Sequence, residues 1–217
     1  MLEALHSGLY AWTTEDHKRF RSFAVVDGGE VVLIDPVAVD AEEANHLKQL
    51  GKITAILLTS AWHERDAEGF ACQFKAPIYA HSDALPDLEH EDDKHKPEAL
   101  PAALPLGLMA WEVPGAMPGQ VAYYWPREGG SLIVGDCWMN LPLEQAPWYM
   151  RLFYQHVAKL RAGLHLLPPS KARDSQAIIA AYRKHLEQPV ERLLVSHGSP
   201  IMAGARDRML ERLDQGP

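Results

Sequence analysis

The sequence predicts a mixed α/β (α+β) protein built as two β-sheets packed together with helices on the outside. Strand-like apolar runs fall into two groups, before and after a charged and Pro/Ala-rich stretch at residues 83–105, and each group gives way to segments of helical spacing. No internal repeat is present, which removes solenoid and propeller architectures.

The first group alternates as antiparallel strands do. Residues 8–12, 23–26 and 31–34 are apolar runs, and Asp27-Gly28-Gly29 between the last two is a hairpin signal, because glycine supplies the positive φ of a tight turn. Residues 41–50 have helical spacing and stop at Gly51, a C-cap residue. Strand 53–58, helix 66–74 and strand 77–80 come next. Residues 83–105, with the run LEHEDDKHKPE, predict a surface insertion or loop in which His90 and His95 are solvated. In the second group, 108–113, 121–125 and 131–134 predict strands separated by Pro-Gly and Gly-Gly turns. The last third predicts helices at 148–161, at 174–186 with Asp174 as N-cap, and at 204–213, with one strand between them at 192–195.

At 217 residues and 47% hydrophobic content, the chain 1–217 is expected to form a single domain. The net charge of −8, with no Lys/Arg run to neutralise phosphates, argues against a nucleic-acid partner. The start MLEALHSGLYAW lacks a basic, apolar leader and no segment reaches membrane-spanning length, so a cytoplasmic protein without membrane attachment is expected. Cys72 and Cys137 are read as reduced, small apolar side chains.

The residues after strand 53–58 carry most of the functional information. ILLTSAWHERDAEGF (56–70) runs from an apolar strand through Thr59 and a polar turn into a helix. Four more motifs stand around it in chain order: SFAVVDGGEVVLIDP (22–36), VPGAMPG (113–119), LIVGD (132–136) and LLVSHGSP (193–200). Together these resemble the metallo-β-lactamase superfamily. The resemblance implies a four-layer αββα sandwich, with two mixed β-sheets face to face and helices outside. It also implies a dinuclear metal centre at one end of the sheets.

Carried over on Thr59, the family's ligand positions in the turn fall on Ser60, Trp62, Glu64 and Arg65, and its later ligand positions fall on Ala116, Asp136 and His197. The first metal position, Ser60, Trp62 and Ala116, has no good donor for zinc. The second, Glu64, Arg65, Asp136 and His197, retains three donors around a guanidinium that cannot shed its proton. Arg65 is therefore expected to pair with Asp136, and with Glu64, where the family holds its second metal. His63, Asp66 and Trp138 complete the pocket candidates, and no catalytic residue is assigned.

Two functions are compatible with these residues. In the first, the chain is a degenerate member without the dinuclear centre and without a cofactor, a non-catalytic or small-ligand-binding module for a small anionic molecule. In the alternative it is a hydrolase of an ester, thioester or lactone. It would then hold one zinc, iron or manganese ion on ligands drawn from His63, Glu64, Asp66, Asp136 and His197. Without a metal, Asp66 is expected to cap helix 66–74 and His63 to be a packed or hydrogen-bonded loop residue. A third, metal-free hydrolysis would use Ser60 as nucleophile with His63 or His197 as base. A homo-oligomer is compatible with the sequence, which leaves open whether the chain is an enzyme.

Overall fold

The computed structural model describes residues 2–13, 20–89, 94–142, 148–152 and 162–216. Its first half is a seven-stranded sheet whose strands lie side by side in chain order: β1 (Glu3–His6), β2 (Leu9–Trp12), β3 (Ser22–Asp27), β4 (Glu30–Ile34), β5 (Lys52–Leu57), β6 (Ile78–Ala80) and β7 (Glu98–Ala99). Neighbours from β1 to β4 pair antiparallel, and those from β4 to β7 pair parallel. Parallel neighbours need a crossover. Helix α1 (Ala41–Leu50) supplies the one between β4 and β5, and α2 (Ala67–Phe74) the one between β5 and β6. The Asp40 carboxylate starts α1 by accepting from the Glu43 N–H at 2.8 Å.

The second sheet contains β8 (Met109–Glu112), β9 (Val121–Trp125), β10 (Ser131–Leu141), β11 (Gly163–Leu166) and β12 (Arg192–Gly198). Helix α3 (Trp148–Leu152) precedes β11, and α4 (Ser175–His185) and α5 (Ala205–Asp214) flank β12 in the chain. Asp174 caps α4 as expected, accepting from the N–H groups of Gln176 and Ala177.

Strands buried on both faces explain the continuous apolar runs. In β4, Val31 and Leu33 join the core beneath α1 and α2, while Val32 and Ile34 join the core between the sheets. In β10 and β12, Leu132, Val134, Leu193 and Val195 face α4 and α5, while Ile133 and Leu194 face the other sheet. Three stacked cores make four layers, the αββα sandwich.

The ladder between β10 and β12 is irregular toward its end. The two strands pair in register through Val134 and Val195, but the next pair is Met139 with His197. Residues 135–138 thus bulge away from the ladder, a device that re-aims side chains at sheet ends.

Short strands β1, β7 and β11 were absent from the sequence-based expectation. The segment 83–105 proves to be more than a loop, since it contributes β7 and buries Ala84 and Leu88. His95 is exposed, as expected, and His90 lies outside the described residues. Of the helix expected over 148–161, Trp148–Leu152 is observed and the remainder lies outside the described residues. Cys72 and Cys137 are free thiols, the first exposed and the second buried. Among the described residues no helix is long and apolar enough to cross a membrane.

Candidate functional site

Four chain segments meet where the parallel strands end. Strand β4 delivers Asp35, β5 delivers the turn from Thr59 to Arg65, the β10 bulge delivers Asp136, and β12 delivers Ser196 and His197. Asp35 adopts a left-handed backbone conformation, with φ of 48°, which costs energy for a non-glycine residue and is held by its surroundings. Its carbonyl accepts from Ser22 Oγ at 2.6 Å and from Arg65 Nη1 at 3.0 Å.

The Asp35 carboxylate is fully buried and fully partnered. Oδ1 accepts from the Thr59 N–H at 2.8 Å. Oδ2 accepts from Thr59 Oγ1 at 2.6 Å and His63 Nδ1 at 2.6 Å, and more distantly from Ser196 Oγ at 3.4 Å. His63 then bridges outward: its Nε2 donates to Asp136 Oδ1 at 3.2 Å, and His197 Nε2 donates to the same oxygen at 2.8 Å. The result is a continuous Asp35–His63–Asp136–His197 chain.

Burial would strip His63 of its charge, but the flanking carboxylates of Asp35 and Asp136 win, and its pKa rises from 6.5 to about 9. Burial works against the charge of Asp136 too. Hydrogen bonds and positive charge from His197 and His63 outweigh it and hold the carboxyl well below the usual carboxylate range. Asp35 is likewise held low despite burial, by His63, Arg65 and Thr59. At neutral pH the centre therefore contains a buried imidazolium between two carboxylates.

This arrangement corrects the expectation for Arg65. Its guanidinium does not pair with Asp136. Nη1 donates to the carbonyls of Arg21 and Asp35, at 3.2 and 3.0 Å, and the group lies 4.9 Å from the Phe20 ring centre. Burial lowers its pKa against the attraction of Asp35, Asp136 and Asp66. The protein cation beside Asp136 is His63, with Arg65 stationed behind it.

The other candidates divide clearly. Asp66 does not cap α2; its Oδ2 accepts from the Ala38 N–H at 2.6 Å and ties the β4–α1 connection to the turn. Trp138 is fully buried in the core beneath α4, edge-on to Tyr182, and is not a pocket residue. Ala116 is buried, Ser60 is buried with an unpartnered Oγ, and Trp62 is exposed. The Ser60 hydroxyl bonds neither His63 nor His197, and the link between Ser60 and His63 is the backbone bond from the His63 N–H to the Ser60 carbonyl, so the serine-nucleophile pair is not formed. Asp35 was not among the sequence-derived candidates, although the Leu33-Ile34-Asp35 strand ending signalled it.

A model of the metallo-beta-lactamase superfamily matches residues 2–89. The whole architecture is shared with a metallo-beta-lactamase from Pontibacter korlensis, at 16% identity, TM-score 0.67, and coverage of 100% of this chain and 99% of that one. A protein designated TTHA1623, solved in a di-iron-bound form, matches at 25% identity and TM-score 0.56, over 83% of this chain and 88% of its own. The chain has the metallo-β-lactamase fold. A B3 metallo-beta-lactamase described as having an active-site glutamic acid is similar at 16% identity and TM-score 0.61, over 96% of this chain and 85% of that one. No curated protein matches the chain.

The metallo-β-lactamase fold implies metal, and the donors present can be tested against it. The first position fails, because Ala116 has no donor atom, the Trp62 indole offers only an N–H, and Ser60 offers a neutral hydroxyl. Glu64 does not belong to the converging donor set found among the described residues. That set is His63, Asp136 and His197, whose ligand atoms lie within 4.8 Å of one another. Two imidazoles and a carboxylate suit a single divalent ion, and Asp35 on Nδ1 of His63 is the kind of outer partner that orients a ligating histidine. A metal there must displace the proton that His63 Nε2 shares with Asp136.

Proposed function

We propose that this chain is a metallo-β-lactamase-fold protein without the dinuclear hydrolytic centre, a non-catalytic module that binds a small ligand at the mouth of the sheets. The observation that carries this reading is the position of His63. Its imidazolium lies between Asp35 and Asp136, so the carboxylate that in active relatives of the fold would face metal already has a protein cation. Together with the half-buried Arg65, buried His63 offsets the charge of Asp35 and Asp136.

The mouth disfavours the anionic ligand expected from sequence. His63 is buried against Asp35 and Asp136, half-buried Arg65 is spent on the Arg21 and Asp35 carbonyls, and Asp87 and Asp136 are the charged residues that line the opening. Elemental analysis of purified, unchelated protein tests the reading. Metal well below one ion per chain supports it. One ion per chain that disappears on Asp136→Asn or His197→Ala overturns it.

The second reading is favoured by the three-donor group. In it, His63, Asp136 and His197 hold one zinc, iron or manganese ion, whose chemistry would be activation of water for attack on an ester, thioester or lactone. Asp35 would keep the His63 proton on Nδ1 and leave Nε2 free as a ligand.

A further inference from the structure

Beside the buried charge network, Ser60, Trp62, Asp87, Met117, Gln120 and Asp136 line a narrow crevice of about 10 Å³, room for one water-sized group. Among the described residues no lysine, arginine or histidine lines it, whereas two carboxylates do. Both imidazole bonds to Asp136 end on Oδ1, so among the described residues Oδ2 accepts none. Ser60 is 5% exposed and its Oγ has no hydrogen-bond partner among the described residues. A buried hydroxyl left unpaired is costly and marks a place where a partner belongs. The Gln120 amide oxygen is committed elsewhere: turned toward the sheet, it accepts from the N–H groups of Asp136 at 3.2 Å and Cys137 at 3.3 Å. Trp62 is 65% exposed at the rim, an unusual place for an indole that no described residue covers.

We infer that this crevice binds the terminus of a primary amine as its ammonium ion. Such a group is about the size of a water molecule and carries three donors and one positive charge. Asp136 Oδ2 and Ser60 Oγ are acceptors without donors, Asp87 adds a second negative charge at the opening, and Trp62 offers a π-face for the cation. The remainder of the molecule leaves past Trp62 and Met117 into solvent. An anion would meet two carboxylates, and a tetramethylated ammonium has no N–H to donate and exceeds the space. The inference rests on the small-ligand reading above and names the chemistry of that ligand. The residues concerned include Ser60 and Trp62, which fail as metal ligands but suit an ammonium group.

The test is a titration of the full chain at fixed ionic strength with n-butylammonium chloride, tetramethylammonium chloride and sodium butyrate. It is followed by NMR at the Trp62 indole and Ala61 backbone N–H signals. Butylammonium should shift both saturably, and the other two should not. Trp62→Ala should weaken binding about two- to fivefold, read at Ala61, and Asp87→Asn by a similar factor. No saturable shift with butylammonium, an equal response to tetramethylammonium, or undiminished binding in both variants would overturn the inference. Metal content of the same sample reports separately on the proposed function, so the two can fail independently.

Discussion

The turn from Thr59 to Arg65 has two sides that obey different rules. On its inner side Thr59, His63 and Arg65 surround Asp35, and the polar atoms there are bonded or charge-matched at 0–3% side-chain exposure for the Asp35–His63 pair. On its outer side Ser60 keeps an unpartnered hydroxyl and Trp62 stands in solvent. The difference teaches where the fold can tolerate an unmet hydrogen bond. Deep between the sheets an unpaired charge would cost more than the domain can lose, whereas at the mouth a ligand or water can complete what the chain leaves open.

The comparison breaks most visibly if the inner side proves unimportant. Asp35→Asn keeps the shape but removes the charge facing His63 and Arg65, and it sets an amide N–H₂ against donors. It should cost about 3–5 kcal/mol of unfolding free energy, as removal of one partner from a buried pair does. A change below about 1 kcal/mol in urea denaturation would show that the inner network carries little stability. The sequence-based expectation placed the buried ion pair at Asp136, but its side chain is 23% exposed and that of Asp35 is 0% exposed, which moves the larger effect inward.

pH provides a second test on chelated protein. His63 has a folded pKa raised from 6.5 to about 9. Its contribution is therefore fully present below about pH 6.5 and is lost as pH rises through 9, by up to about 3 kcal/mol. Asp35 and Asp136 are held low, so their contribution is present above the ordinary carboxylate pKa and is lost as the solution becomes strongly acidic. Stability should fall between neutral and alkaline pH, and Asp35→Asn should flatten that fall. A flat profile from pH 6 to 10 in the unmutated chain would contradict a buried imidazolium.

The fold was legible because each of its strong elements has a local cause: the Asp27-Gly28-Gly29 turn, the capping residues Gly51 and Asp174, and apolar runs buried on both faces. Strands β1, β7 and β11 were not, because two- to four-residue strands are specified by their neighbours' edges and not by their own pattern. In the site, Asp136 and His197 were visible from strand endings. His63 was read as a metal-capable residue one place off the family's register that could join Asp136 and His197, and the three do converge. Its bridge to Asp35 was not foreseen, since spacing alone assigns the family's positions to Trp62 and Glu64 on either side of it. Only the tight 3-10 turn Ala61–His63 brings its ring inward. Arg65 was expected on Asp136 because no sequence signal shows that the Asp35 carbonyl is turned toward it by a positive φ.

Gly135 offers a smaller test of how tightly the inner side is built. A Cβ there would collide with Thr59 Oγ1 and approach His63 Cε1 to 3.0 Å. Gly135→Ala should cost about 1–3 kcal/mol through overpacking. The displaced ring should also weaken the alkaline loss of stability. Loss of stability with an unchanged pH profile would mean that the clash is absorbed by Thr59 alone.

The outer side should barely respond. Trp62→Ala removes an exposed indole, and Ser60→Ala removes a hydroxyl that bonds nothing, so each should change unfolding free energy by about 0.5 kcal/mol or less. Ser60→Ala has reason to be slightly stabilising, because the unpaired oxygen is itself unfavourable when buried. The two variants thus separate stability from binding in the same turn: calorimetric melting should be nearly unchanged while butylammonium affinity falls. If Ser60→Ala instead destabilised the chain by more than about 1 kcal/mol, its hydroxyl would have a partner in solution, such as an ordered water held between Ser60 and Asp136, and the crevice would belong to the rigid inner network.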